Sequence, residues 1–577
     1  MVFPGATHTR FEHCVGAVHV AQLIVDHANE NCLNTEDEGK RWRMTSISEP
    51  MARFIRLGAL LHDIGHLPFG HTLEDELNHL RSHDGPGRLY RVARIPYPNH
   101  EVDRAIIPPD KKPAGGWTLK DLVSKLYEPH ARQLGVAGFD AFTVLSHIVC
   151  KPPKTESELT AWNQTADQLK AHFELKVCQD IVGNTICADF LDYLYRDWYH
   201  LGKPLYFDKR IYQYMEVRCP AVTQGGDGAA QFVINVRSAE RIRHDALTDI
   251  LELLNARYKL AETVLFHRAK LALTGLLDRC LLETSDLYTK ASLPDDRLQE
   301  VAEALLLEAS DDGLPLLLKE LAEGGDTDGK AAIKIVTENE IQNFQAAAAP
   351  QASFDEGRTR GPIGSQQDTV LQLIERLRDR EVYCLTYKLR MADLTGPRNP
   401  KNTRLRELLD IYKKPANRLK FLRMMELLCD LPRGSLIMNC PTDAAMNAKV
   451  AMVNLFVEDE VSPFATYEEQ GEPNLTHGAL HAQIERFYEL WAASIYVDRR
   501  VWDDLSPGEK KNLRSALKGF FLLAPGDDPN VIRDQMEPSI QTMRKRASRS
   551  AASNPDEAAY KGSIFPSGVP FDKPSGR

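Results

Sequence analysis

The sequence has no two cysteines at the CxxC spacing that zinc ribbons use. Its ten cysteines are scattered over 577 residues, a pattern that favours free thiols in a reducing compartment over a disulfide framework. No run of about 18 apolar residues occurs that could form a membrane span. No basic segment followed by an apolar one marks a secretion signal. We therefore expect a cytoplasmic protein with no membrane partner.

A strong excess of charge of one sign is absent as well. The 71 Lys and Arg residues are outnumbered by 81 Asp and Glu residues, which gives a formal net charge of −10. This balance provides no overall attraction to nucleic acid or to an anionic membrane, although a local basic pocket can still hold phosphate. With 43% hydrophobic and 26% charged residues, the composition is that of a soluble globular protein. The length predicts two to four domains.

Apolar residues recur at helical spacing over much of the first 320 residues. This spacing predicts helices over residues 8–30, 50–64, 119–150, 164–180 and 181–202. Two short alternating runs, RIYQYMEV and QFVINVRS, predict a β-hairpin. From residue 239 to about residue 321 the periodicity is helical again.

The second half of the chain has weaker patterns. Residues 345–368 contain few large apolar side chains and predict a linker. A helix over 369–380 and a mixed α/β region follow, with the strand candidates GSLIMNC and KVAMVNLFVE. Residues 474–523 predict helices, and the tail from about residue 544 predicts disorder. The predicted fold is mainly α, with a helical bundle, a small β-hairpin and a C-terminal mixed α/β region. The predicted boundaries are 1–275, 276–368, 369–523 and 524–577.

The pair His62–Asp63, in the apolar run LGALLHDIGHLPFGH, is the most informative motif. Consecutive helix residues lie about 100° apart, so both side chains can flank one coordination centre. His13, in PGATHTRFEHCVG, and Asp189, in ICADFLDYLYRD, add a second imidazole and a second carboxylate. Two imidazoles and two carboxylates form a donor set for a divalent metal and leave positions for water and substrate.

A single histidine on an apolar face is usually a hydrogen-bonded core residue. Here His62, His66 and His71 fall within ten residues, in a chain that has 18 histidines in 577. The later helix places Asp189 and Tyr193 on one face at i and i+4, with Asp197 two turns further on. The clustering favours a metal centre over a set of unrelated core residues.

The motifs PGATHTRFEHCVG, LLHDIGHLPFGH and ADFLDYLYRDWYHLG, in this order, resemble the HD-domain phosphohydrolases. Within that superfamily they look most like the deoxynucleoside triphosphate triphosphohydrolase branch of SAM-and-HD-domain proteins. The resemblance is specific over 1–202, weaker over 203–275, and implies an HD domain over 1–275. The metal ligands that it implies are His13, His62, Asp63 and Asp189.

The resemblance also implies roles for further residues. The catalytic positions are His66, His71, Glu74, His100 and Glu101. The substrate-binding positions are Arg10 for phosphate, Tyr193 and Asp197 for the sugar, and Arg257 and His267 on a later helix that closes over the phosphates. We take His71 as the general acid, oriented by Glu74 at i+3, with His100 and its neighbour Glu101 as the second candidate.

The sequence departs from the family pattern at several positions. Phe190 stands where the family has a lysine directly after the fourth ligand. Ala261 and Leu265 stand where a histidine and a tyrosine pack against the sugar and the base. The PGATH motif begins at Pro4, and we expect the family's preceding segment, which helps to read the base, to be missing.

Three functions remain open from the sequence. The first is a metal-dependent phosphohydrolase that uses Mn, Fe, Mg or Zn and converts deoxynucleoside triphosphates to deoxynucleoside and triphosphate. The second is an HD-type nuclease or phosphodiesterase that acts on other nucleotides. The third is a non-catalytic metal-binding regulatory module. The expected partners are a nucleotide substrate and further copies of the chain in a homo-oligomer, and nucleic acid stays open as a partner.

Overall fold

The structure of the protein is a computed structural model. It describes residues 3–33, 41–95, 116–136, 138–203, 209–221, 229–238, 241–288, 313–323, 366–381, 383–390, 411–429, 431–442, 453–457, 460–464 and 489–521, together with isolated positions near these segments. The candidate residues His100 and Glu101 lie outside the described residues, as do residues 345–365 of the predicted linker and the predicted disordered tail from residue 544.

The first 200 residues form a helical bundle. Its helices are α1 (Arg10–Leu33), α2 (Glu49–Leu61), α3 (Pro86–Val92), α4 (Leu119–Gln133), α5 (Ala141–Val149), α6 (Glu156–Lys170), α7 (Leu175–Gly183) and α8 (Ala188–His200). Local signals set several of the boundaries. Thr118 and Asp121 form a capping box at the start of α4, and the Asp140 side chain accepts the amide of Thr143 at the start of α5.

A small sheet packs on this bundle. The strands β1 (Trp42–Met44), β2 (Met215–Pro220) and β3 (Gln231–Asn235) pair antiparallel, so the hairpin predicted from the sequence is present. The first part of RIYQYMEV is instead a 3₁₀ helix, Lys209–Tyr214. Strand β3 also pairs with a strand from far downstream, Asn454–Val457, in parallel orientation. The C-terminal half therefore adds strands to the N-terminal sheet.

The short strands β4 (Arg237–Ser238) and β5 (Arg241–Ile242) pair after the hairpin, and two long helices follow them. Helix α9 (His244–Leu260) ends in a π-helical turn, Ala261–Leu265, and α10 (Arg268–Tyr288) begins directly afterwards. The domain boundary predicted at residue 275 falls inside α10. Helix α10 packs against α11 (Gly313–Glu323) and α12 (Gln366–Arg378), which begins within the predicted linker. No helix in the described parts of the chain is long and apolar enough to cross a bilayer.

The C-terminal part is a mixed α/β unit. Strands β6 (Cys384–Arg390), β7 (Leu436–Asn439) and β10 (Ala492–Val497) form a sheet in the order β6-β10-β7. Helices α13 (Pro415–Leu428), α14 (Arg499–Asp504) and α15 (Pro507–Phe521) complete this unit. Strands β8 (Asn454–Val457) and β9 (Glu460–Pro463) extend the N-terminal sheet. The mainly α fold with small sheets is confirmed.

The prediction that residues 474–523 are helical was wrong for Ala492–Val497, which forms the central strand β10. All six residues of this strand are buried. A continuous apolar run that is buried on both faces lacks the alternation of an exposed strand. Its periodicity therefore cannot separate a strand from a buried helix.

Candidate active site

Three helices of the bundle bring the four predicted metal ligands together. Helix α1 carries His13, the residues after α2 are His62 and Asp63, and the first turn of α8 carries Asp189. Helix α1 packs directly against both α2 and α8. Residues that are up to 176 positions apart in the sequence therefore face one point in the bundle.

The donor atoms of these residues lie close to one another. The Nε2 atom of His13 is 3.3 Å from Nε2 of His62 and 3.2 Å from Oδ1 of Asp189. The Nε2 atom of His62 is 3.4 Å from the same Asp189 oxygen and 3.3 Å from Oδ1 of Asp63. Oδ2 of Asp63 is 3.8 Å from Nε2 of His13.

The ligand atoms of His13, His62 and Asp189 lie within 4.8 Å of one another, a spacing that fits a single divalent cation, and Asp63 adjoins this set through His62. Donors about 2.1 Å from a cation are separated by about 3.0 Å in octahedral geometry and about 3.4 Å in tetrahedral geometry. The ring tautomers fit as well. Nδ1 of His62 donates to the carbonyl of Ala59 at 2.8 Å, and Nδ1 of His13 lies 2.9 Å from Oδ2 of Asp192. These contacts leave both Nε2 lone pairs free to face the centre.

The electrostatics of the site also favour a bound cation. Burial lowers the pKa of His13, but hydrogen bonds to Asp189 and Asp192 outweigh it and raise the pKa to about 10. Burial likewise opposes a charge on His62, yet Asp189 and Asp63 raise its pKa. Burial would raise the pKa of Asp189, but hydrogen bonds from His13 and His62 hold it well below its usual range. The negative charge that favours a proton on these rings equally favours a metal ion, which displaces the proton on binding.

Asp192 orients the ring of His13, the predicted ligand, on the side away from the other donors. Arg196 donates to both oxygens of Asp192, at 2.9 and 2.8 Å, and so fixes the carboxylate that contacts His13. Gly16 makes room for this pair, because a Cβ atom there would lie 1.9 Å from Oδ1 of Asp192. Carboxylates in this position fix the ring orientation and raise the basicity of a ligating imidazole.

We expect Asp192→Asn to weaken metal binding by about 10- to 100-fold without unfolding the protein, because outer carboxylates contribute to metal affinity at this level. Competition with a fluorescent chelator measures the change. The matched control is Asp180→Asn, since Asp180 is a buried acid that pairs with Lys176 on α7 and touches none of the four donors in the described structure. Equal metal affinity in the Asp192→Asn variant and the wild type would contradict the role of Asp192.

A second group of histidines lies beside the metal centre. Nε2 of His66 is 3.4 Å from Oδ1 of Asp63, so His66 adjoins the ligand set. The ring of His66 lies 4.6 Å from the ring of His71 and 3.5 Å from the ring of His83, measured between centroids. Potential ligand atoms of these three histidines lie within 4.8 Å of one another. The site therefore combines a cation-binding set with an adjacent row of imidazoles.

The predicted pairing of His71 with Glu74 was wrong. Nδ1 of His71 lies 2.8 Å from Oδ2 of Asp75, at i+4. The Glu74 side chain is buried, with Oε2 2.7 Å from Nδ1 of His83 and Oε1 3.7 Å from Nδ1 of His66. The physical reason is the π-helical turn Thr72–Glu76 that follows His71. A π turn is wider than an α turn, so the residue at i+4, rather than i+3, lies over His71.

His83 is a site residue that the sequence reasoning missed. Its ring contacts Glu74 through Nδ1, and its Nε2 lies 2.7 Å from Oδ1 of Asp84. Burial lowers the pKa of His83, but Asp84 and Glu74 outweigh burial and raise it to about 10. The signal that could have found it is the adjacent His–acid pair in RSHDGPG, the same type of pair as His100–Glu101.

Arg10 lies on the same side of the site as His66. A Cβ atom at Gly70 would come within 2.6 Å of Nη2 of Arg10 and 2.9 Å of Nδ1 of His66. Gly70 also has a positive φ of 36°, a conformation that side chains other than glycine's rarely adopt. The chain therefore turns sharply here and leaves Arg10, which is exposed, beside His66.

The remaining predicted substrate residues surround the site at greater distance. Oδ1 of Asp197 lies 2.8 Å from Nε2 of His8, whose ring stacks on His200. The ring of Tyr193 packs 5.6 Å from the buried ring of Phe190. The Arg257 guanidinium lies 5.7 Å from the centre of the same Phe190 ring. His267 precedes α10 and lies 6.0 Å from the ring of Phe3.

The structure shows the surroundings of the three residues that depart from the family pattern. Phe190 is 2% exposed and belongs to the main hydrophobic core, so it offers a ring where a lysine would offer a cation. Ala261 is buried and Leu265 is exposed, at the two ends of the π-helical turn after α9. Neither of these two side chains can stack on a base as an aromatic ring does.

Comparison with known proteins agrees with this geometry. Residues 10–156 match the HD domain family. This match confirms the resemblance of the N-terminal region to the HD-domain phosphohydrolases.

Individual relatives match smaller parts of the chain. The chain is 26% identical over 226 residues to the deoxynucleoside triphosphate triphosphohydrolase SAMHD1 of Homo sapiens. The aligned region covers 37% of this chain and 30% of the human protein. Over 79 residues it is 37% identical to the SAMHD1 homolog of Dictyostelium discoideum, which covers 14% of this chain and 13% of that protein. The chain thus spans less than a third of the length of these relatives.

A solved structure of a phosphohydrolase from Bacteroides thetaiotaomicron aligns with 86% of this chain and 89% of its own. The TM-score is 0.38 and the sequence identity is 16%. These values are too low to infer a shared fold over the whole chain.

Proposed function

We propose that this chain is a divalent-metal-dependent phosphohydrolase that converts deoxynucleoside triphosphates to deoxynucleoside and triphosphate. The observation that carries the proposal is the convergence of His13, His62, Asp63 and Asp189 within an HD domain. The relatives named deoxynucleoside triphosphate triphosphohydrolases support this choice of substrate.

The four donors would hold the cation through mixed nitrogen and oxygen ligation, which suits Mn, Fe, Mg or Zn. When bound, such a cation polarises a phosphoryl oxygen and lowers the pKa of water. The side chains of His13 and His62 are nine-tenths buried, and this excludes bulk water from the metal side of the site. Beside His66, the His71 side chain is 62% exposed, so we place the entry of substrate at His71.

His71 is the proposed proton donor for the leaving oxygen. Its side chain is 62% exposed, unlike His66 and His83, and Asp75 orients it through Nδ1. This arrangement leaves Nε2 directed away from Asp75 and available to a bound nucleotide. His66 and His83, held by the buried Glu74, form the wall behind it.

Arg10 and Arg257 are the proposed phosphate contacts. Both are guanidinium groups at the edge of the site, and a planar fork matches the oxygens of a phosphate. Arg10 lies next to His66, whereas Arg257 approaches through Phe190 and Tyr193. Tyr193 would then contact the sugar of the nucleotide, as the family resemblance implies.

The test is incubation of the purified full chain with Mn²⁺ and each of the four deoxynucleoside triphosphates, with product separation by ion-exchange chromatography. We expect tripolyphosphate and deoxynucleoside in equal amounts, and no signal from the His62→Ala, Asp63→Ala double variant. Cleavage of single-stranded oligonucleotides without release of tripolyphosphate would instead establish the nuclease alternative. No hydrolysis of either substrate by metal-loaded protein would overturn the proposed activity.

A further inference from the structure

Residues 71–79, here called the catalytic segment, carry His71, Glu74 and Asp75 but have little structure of their own. The segment contains one π-helical turn of five residues. Within the segment, the Leu77 amide donates to the Thr72 carbonyl at 3.0 Å, and the His79 amide donates to the Leu73 carbonyl at 2.8 Å. Helical turns this short are not stable alone. The conformation of the catalytic segment must therefore be fixed from outside.

The outside contacts come from α10 and from the C-terminal α/β unit. The Arg418 guanidinium on α13 donates to the carbonyl of Leu77 at 2.8 Å. The Thr442 hydroxyl, after β7, donates to the carbonyl of Asp75. These carbonyls end the π turn and have no helical partner further along. Lys270 on α10 forms an ion pair with Glu76. In all three contacts the donor residue lies after the HD-family match, which covers residues 10–156.

A buried ion pair anchors this connection. Asp278 on α10 accepts two hydrogen bonds from Arg418, Nε at 2.8 Å and Nη2 at 2.7 Å. The same carboxylate lies 2.6 Å from Nε2 of His79, the last residue of the catalytic segment. Both Asp278 and Arg418 are 0% exposed. Burial would raise the pKa of Asp278, but Arg418 and His79 outweigh burial and keep it below its usual range.

The buried pair of Asp278 and Arg418 fixes the positions of the groups that it contacts. The Asp278 carboxylate has two oxygens, and Arg418 and His79 occupy both of them. The Arg418 fork cannot shift without breaking a charge-assisted bond in a site that water does not reach. The position of the Leu77 carbonyl and of the His79 ring is therefore tied to the packing of α10 against α13.

We propose that Asp278, Arg418 and Thr442 are positioning residues. They hold the catalytic segment in the conformation that presents His71 to substrate and keeps Glu74 against His66 and His83. The proposal rests on the proposed phosphohydrolase function for its effect on turnover. Through these residues the C-terminal α/β unit controls the geometry of the HD site, although it contributes none of the proposed metal ligands.

The decisive comparison is Asp278→Asn against the matched control Glu426→Gln. The control changes a carboxylate to an amide in a second buried ion pair between α10 and α13, because Glu426 bonds to Arg279 at 2.8 Å. Neither Glu426 nor Arg279 contacts the catalytic segment in the described structure. We expect Asp278→Asn to lower kcat by about 100-fold, the cost of a displacement of about 1 Å, with KM changed by less than about threefold. Glu426→Gln keeps kcat within about threefold of wild type.

Hydrogen–deuterium exchange of the full-length protein provides a readout that does not depend on activity. We expect the amides of Leu77 and His79 to lose protection in Asp278→Asn and to keep it in Glu426→Gln. Metal content stays at the wild-type value in both variants, because none of the four proposed ligands lies in the catalytic segment. Unchanged protection in Asp278→Asn, or an equal fall in kcat in the two variants, would overturn the proposal.

Thr442→Val keeps the inference testable if Asp278→Asn does not fold. This substitution preserves the shape of the side chain and removes only the hydroxyl that binds the Asp75 carbonyl. We expect kcat to fall by about three- to tenfold, the effect of one hydrogen bond, and the amides of the segment to exchange faster. Wild-type rates for both would overturn the inference. If the wild type itself hydrolyses no nucleotide, the proposed function fails while the exchange data still decide the positioning role.

Discussion

Asp189→Asn is expected to release most of the bound metal and to lower kcat/KM by at least about 10³-fold. Asparagine keeps the shape of the side chain but removes the charge that faces His13 and His62 at 3.2 and 3.4 Å. A catalytic cation contributes several kcal/mol of transition-state stabilisation, and each 1.36 kcal/mol corresponds to about tenfold in rate. Metal content by plasma mass spectrometry and initial rates measure the two effects on the same sample.

The control for this variant is Asp167→Asn. Asp167 is an exposed acid on α6 that pairs with Lys170 at 3.0 Å, so the same chemical change occurs far from the donors. We expect wild-type metal content and rate in the control. Full metal occupancy in Asp189→Asn would mean that this carboxylate is not a ligand.

His71→Gln is expected to lower kcat by about 10²- to 10⁴-fold while metal content stays unchanged. The substitution removes a proton donor that lies next to the metal set but contributes no donor atom to it. Because Asp75 orients His71, Asp75→Asn should show a smaller loss in the same direction. Steady-state kinetics with a deoxynucleoside triphosphate, on protein of known metal content, separates this effect from metal loss.

His19→Gln provides the matched control for the His71 variant, because His19 is an exposed histidine on α1. We expect its kcat to equal that of wild type. A His71→Gln variant with wild-type kcat would assign the proton transfer to another group, and His83→Gln would then be the next variant to measure.

The sequence was sufficient to predict the parts of the fold that depend on local patterns. Helices α1, α2 and α8 follow from apolar spacing. His13 lies on α1 and Asp189 on α8, and His62 directly follows α2. The approach of the donors could be expected only through the family resemblance, since nothing local places α1 between α2 and α8. The hairpin of β2 and β3 followed from alternation and turn residues.

Other features depend on context that one sequence does not contain. The partner of His71 depends on a π-helical turn, and apolar spacing does not separate a π turn from an α turn. The role of His83 depends on Glu74 turning inward through the same turn. Strand β10 was mistaken for helix because it is buried on both faces. The contact between Arg418 and Leu77 joins residues 341 positions apart and follows only from tertiary packing.

The most direct test of the central claim is anomalous X-ray scattering from crystals of the full chain loaded with Mn²⁺, the cation of the activity assay. The account predicts one strong peak within bonding distance of His13, His62, Asp63 and Asp189. A peak among His66, His71 and His83 with none between His13 and Asp189, or no peak in a protein that is active, would contradict it.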